Sequence, residues 1–132
     1  MMKRYLLALL LVLVLQPHAW AQNRIDKAVE QHSTLGSSRF TSAVERDPKT
    51  RAVQKVVKVL ETRHGSKLVS LFKEEMRSDK YEKSVRTNDS NDRQMLVLTC
   101  GSEQQTRIYM LDYAPSAHGN GNVKVTIIIK NK

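Results

Sequence analysis

Gln94-Met95-Leu96-Val97-Leu98-Thr99-Cys100 is the stretch that decides the fold. Side chains alternate along a strand, so Leu96, Leu98 and Cys100 share one side while Met95 and Val97 take the other. Apolar residues on both sides make this the most buried strand of the chain. Thr106 to Tyr113 follows the same rule, with Ile108 and Met110 opposing Tyr109, Leu111 and Tyr113. Val123 to Lys130 sets Val123, Val125, Ile127 and Ile129 against Lys124, Thr126 and Lys130. Ile128 interrupts that polar side, which asks for some cover there. Tyr81 to Thr87 completes a run of four strands. The polar turn Asn88–Asp92 and the Pro/Gly/Asn loop Ala114–Asn122 separate them.

Working towards the N-terminus, Ser66 to Asp79 reads as the clearest helix. Leu68, Leu71, Phe72 and Met76 form one stripe, Val69 widens it, and Ser66 is placed to cap its start. Asn23 to Ser33 is a shorter amphipathic helix with Ile25, Ala28 and Val29 on one side, Asn23 as cap and Asp26 three residues on. Between the helices, Arg39 to Glu45 alternates weakly, and Asp47-Pro48-Lys49-Thr50 suits a type I turn. Ala52 to Glu61 has helical spacing at Val53, Val56, Val57 and Leu60, yet four of its ten residues are valine. Branched side chains favour strands, so a hairpin with Arg39–Glu45 is the preferred reading. The order helix, hairpin, helix, four strands predicts an α+β fold. It would have an antiparallel sheet of about five to six strands with two helices packed on one face. The expected core unites Val29, Phe72, Met76, Leu96, Leu98, Ile108, Leu111, Val125 and Ile127.

The first 21 residues read differently. Lys3 and Arg4 precede an apolar run from Tyr5 to Leu15, and Ala19-Trp20-Ala21 supplies a small–x–small cleavage site. This pattern predicts a Sec-type signal peptide over residues 1–21, cleaved before Gln22, and one α+β domain over residues 22–132. The implied location is the periplasm or the exterior. The apolar run is too short to span a bilayer, which takes about 20 residues, and nothing later approaches that length. Gln22 at the new N-terminus excludes lipoprotein anchoring at this site.

The chain carries 22 Lys and Arg against 13 Asp and Glu, a formal charge of +9, and the leader removes two of the basic residues. The densest basic stretch, Arg46, Lys49, Arg51, Lys55 and Lys58, forms a candidate face for anionic glycan or lipid. No aromatic residues are interleaved with it, which argues against nucleic acid. Cys100 stands alone, so no internal disulfide forms, and its strand position marks a buried, inert thiol. His32, His64 and His118 lie in separate segments without metal-ligand spacing, so no metal or cofactor is expected. Asp89-Ser90-Asn91-Asp92 lacks the glycine and distal glutamate of a calcium loop. His118-Gly119-Asn120-Gly121-Asn122 departs from the phosphate-loop pattern. His64-Gly65-Ser66 has no third triad member.

Gln22 to Glu30, Phe40 to Thr50 and Lys55 to Leu60 resemble the DUF5024 family, small exported proteins of Bacteroides-type gut bacteria. Arg107 to Leu111 and Val123 to Ile128 fit the same likeness. The resemblance implies a bacterial periplasmic or secreted protein and carries over no catalytic residue. The reading that follows is a non-catalytic interaction or binding module of the envelope. The competing readings are a binder of anionic glycan or lipid, and a small hydrolase or transferase. In the last, His64, Ser66 and Cys100 would be the first residues to test.

Overall fold

The computed structural model describes residues 24–117 and 121–132. The expected signal peptide, its cleavage site, the Asn23 cap and His118 lie outside those residues. The elements are α1 (Arg24–Ser33), β1 (Ser38–Arg46), β2 (Val53–Thr62), α2 (Ser66–Glu75), β3 (Glu82–Asn88), β4 (Arg93–Gly101), β5 (Gln105–Tyr113) and β6 (Val123–Asn131). The six strands form one sheet in the order β1-β2-β6-β5-β4-β3, and every neighbouring pair is antiparallel. The α+β expectation and the β1–β2 hairpin hold. Valine content outweighed helical spacing in β2, because Val56, Val57 and Val59 pair with strands on both sides.

Cross-strand register assigns the two faces. Leu60, Val125, Leu111 and Leu96 fall in one row, and the next holds Ile127, Tyr109 and Leu98. All seven are buried beneath Ile25 and Val29 of α1 and Leu68, Val69 and Phe72 of α2. Both helices therefore pack on the same face. Ile108 is not in this core. It pairs with Ile128 and Thr99 on the opposite face, and Tyr109 takes the inward place. Ile108 and Leu111 are three residues apart, and period-two alternation forbids both from pointing inward. Met76 is only partly buried, because α2 ends at Glu75, four residues before the expected Asp79.

The start of α2 also differs. Its cap position is Gly65, with no side-chain cap bond, and Ser66 is the first helical residue. A Cβ on Gly65 would lie 2.6 Å from Val123 Cβ. The helix entry thus rests on β6 so closely that only glycine fits. At the β1–β2 turn, Asp47 Oδ1 accepts from the backbone N–H of Lys49 at 2.7 Å and Thr50 at 3.0 Å. These bonds hold the exposed Asp47 carboxyl below its ordinary pKa.

A buried polar network ties α1 to β5. Tyr109 Oη donates to Asp26 Oδ2 at 2.9 Å, and Arg107 Nη1 donates to the same oxygen at 3.1 Å. Gln105 Oε1 accepts from Arg107 Nε at 2.8 Å. Burial raises the Tyr109 phenol far above its usual range.

Candidate functional site

A cleft of about 630 Å³ opens at one end of the sheet, where β1 begins, β2 ends and β6 begins. That volume lies within the usual range for small-ligand sites, about 300–1,000 Å³. Its floor includes Thr62 and Val123, both buried. The Gly36–Ser38 segment and Asn122 contribute to its walls. Four basic side chains line it, Arg39, Arg63, Arg93 and Lys124, against the single acid Glu61.

Local structure explains this concentration of charge. Antiparallel register sets Arg39 across from Glu61 and Glu61 across from Lys124. Arg63 follows directly on the last residue of β2. Arg93 opens β4 and is engaged: Nη2 lies 2.7 Å from Asp112 Oδ1, and Nη1 donates to the Asn122 carbonyl at 3.3 Å. Arg39, Arg63 and Lys124 form no ion pair among the described residues. The Ser38 hydroxyl is buried in the cleft wall without a hydrogen-bond partner among those residues. The cleft therefore offers three uncommitted cations and an unsatisfied hydroxyl. That chemistry suits a carboxylate, sulfate or phosphate group.

The basic residues singled out in the sequence lie elsewhere and do not converge. Arg46 ends β1, and its Nη1 donates to the Arg51 carbonyl at 3.1 Å. Lys49 and Arg51 sit in the hairpin turn, Arg51 with a left-handed φ of 64°. Lys55 pairs with Glu45 and Lys130. Lys58 pairs with Ser42 and Ile127, which places it on the helix-bearing face, opposite to Lys55. Three residues of separation in a strand reverse the face, so the stretch is a basic hairpin tip.

His64, Ser66 and Cys100 do not meet. His64 is exposed between β2 and α2, and Ser66 is exposed as the first residue of α2, on either side of Gly65. Cys100 lies near the far end of β4, paired with Arg107. Its thiol is half-buried at a shallow recess with Tyr81 and Thr106. Burial raises its pKa, against a smaller opposing pull from the Arg107 charge. Such a thiol supplies little thiolate at neutral pH. His32 Nδ1 is tied to the Ala28 carbonyl at 2.8 Å. Among the described residues no three His, Cys, Asp or Glu side chains gather to hold a metal ion.

Residues of the cleft span positions 36 to 124 and become neighbours only through the β1–β2–β6 register. Single cations at strand ends carry no signal in the sequence; a pairing scheme for the strands would have exposed them. No family model, curated protein or solved structure matches this chain.

Proposed function

We propose that the chain is an exported, non-catalytic binding module that holds an anionic group in the cleft between β1, β2 and β6. The observation that carries the reading is the cleft itself, with Arg39, Arg63 and Lys124 unpaired beside the orphaned Ser38 hydroxyl. Export rests on the leader pattern of residues 1–21, and the DUF5024 resemblance points the same way. In a bacterial envelope the relevant anions are acidic glycans and phospholipid headgroups. A binding role also accords with the scattering of His64, Ser66 and Cys100.

Retention on an immobilised polyuronate and on phosphatidylglycerol vesicles tests this, each across a salt series. The double variant Arg39→Ala/Arg63→Ala should lose retention on the matrix that carries the natural chemistry. Lys49→Ala/Arg51→Ala, at the hairpin tip, should leave it nearly intact. Equal losses from the two pairs would mean diffuse attraction by net charge and would refute a cleft-centred site.

A further inference from the structure

The face of the sheet away from the helices is uncovered by any described residue, yet it is apolar at its centre. Register resolves it into rows across the strands. One inner row runs Thr41, Val59, Thr126, Met110, Val97. The next runs Ala43, Val57, Ile128, Ile108, Thr99 and ends at the sheet edge in Glu82. Their valines, isoleucines and methionine are only partly buried. Charged rows border this centre. At the cleft end, Arg39, Glu61, Lys124 and Asp112 alternate in sign, and the row ends in Met95 and Arg86. Glu45, Lys55 and Lys130 mark the other end.

We infer that this face is the interface of a two-fold homodimer, formed by packing two sheets face to face. Area supports a second copy. Six strands about 4.8 Å apart and nine residues long at about 3.3 Å each give a face of about 700 Å². Two such faces bury about 1,400 Å², the size of a stable protein–protein interface. Charge supports it as well. An isologous patch must complement itself, so it needs both signs. An axis across the strands sets Arg39 over Glu45 of the partner subunit and Glu61 over Lys55 of the partner subunit. Glu61 thus faces a lysine and Arg39 faces an acid. One like-charge meeting is left at the rim, Lys130 opposite Lys124 of the partner subunit. The long lysine stems carry those ammonium groups to water. The interior rows meet as valine, isoleucine and methionine at the sheet spacing of a β-sandwich, about 10 Å. The row shares Arg39, Glu61 and Lys124 with the cleft, so a bound anion and a second copy compete for them, while Ile128 and Lys130, on which the test turns, lie outside it.

Sedimentation of the chain beginning at Gln22, over a concentration series, tests the inference. The unaltered chain should dimerise. Ile128→Lys places a charge in the centre of the apolar rows and should weaken the dimer by at least about a hundredfold, as loss of a buried hot spot does. Lys130→Glu should tighten it by about fivefold, the scale of two exposed opposite-charge pairs. Thermal unfolding of both variants verifies that the fold is intact. A monomer at all concentrations overturns the inference. So does a dimer indifferent to Ile128→Lys, which would join through the β1 or β3 edge. Weakening by Lys130→Glu would overturn it too, since Lys130 would then meet no like charge across the interface.

Discussion

Removal of the Asp26 carboxylate is the sharpest probe of what holds α1 to the sheet. Asp26 sits in the first turn of α1 with its side chain 8% exposed, and Arg107 opposite retains 18%. Asp26→Ala deletes the acceptor shared by Arg107 Nη1 and Tyr109 Oη. Breaking a fully buried ion pair from one side costs about 3–5 kcal/mol. Arg107 keeps some solvent and the Gln105 acceptor, so the low end applies, about 3 kcal/mol. Urea unfolding reads this directly. With a slope near 2 kcal/mol per molar urea, the midpoint should fall by about 1.5 M at constant slope. Arg107→Met removes the stranded charge while keeping an apolar stem. Adding it to Asp26→Ala should therefore cost less than the two single changes together. A shift within about 0.5 kcal/mol for Asp26→Ala, or strict additivity in the cycle, would refute the argument that this network anchors the helix.

Phe72, fully buried at the centre of α2, should cost about 3–5 kcal/mol on truncation to alanine, measured by the same unfolding curves. Cys100 should label slowly with a thiol reagent at neutral pH in the native state and quickly once unfolded. Its raised pKa makes a contribution to stability that is intact below the unfolded-state value, about 8.5, and is lost as pH rises through the folded-state value. Rapid native labelling with a depressed apparent pKa would refute the inert reading.

Periodicity made the elements legible, because each strand and helix writes its buried side in local spacing. β4, β5 and β6 follow that rule residue by residue. It failed where two local rules had to be combined. Ile108 and Leu111 both looked like core residues, yet only one parity of β5 can face the helices. The end of α2 was also misplaced, because Arg77 and Ser78 close the helix with backbone bonds to Glu74 and Glu75. No glycine or proline marks that stop. The cleft was illegible for a different reason. Its cations come from four strand ends, and their proximity depends on β6 lying between β2 and β5. The dense basic stretch Arg46–Lys58 drew attention through sequence density, while turn geometry and strand alternation dispersed it.

The position of β6 has a consequence for how the chain acquires its shape. β1–β2 and β3–β4–β5 are two local antiparallel units built from near neighbours in sequence. β6 alone joins them, pairing Leu60 with Val125 and Val125 with Leu111. Until residues 123–131 are present, each unit ends in an unsatisfied strand edge and no common core exists. The N-terminal helix is completed late as well, since its Asp26 accepts from Arg107 and Tyr109. Contacts of such long separation make folding slow and late. A nascent chain of this design stays open until residues 123–131 have been made. A chain cut short before Val123 would present two further bare edges, at β2 and β5, and be prone to aggregate.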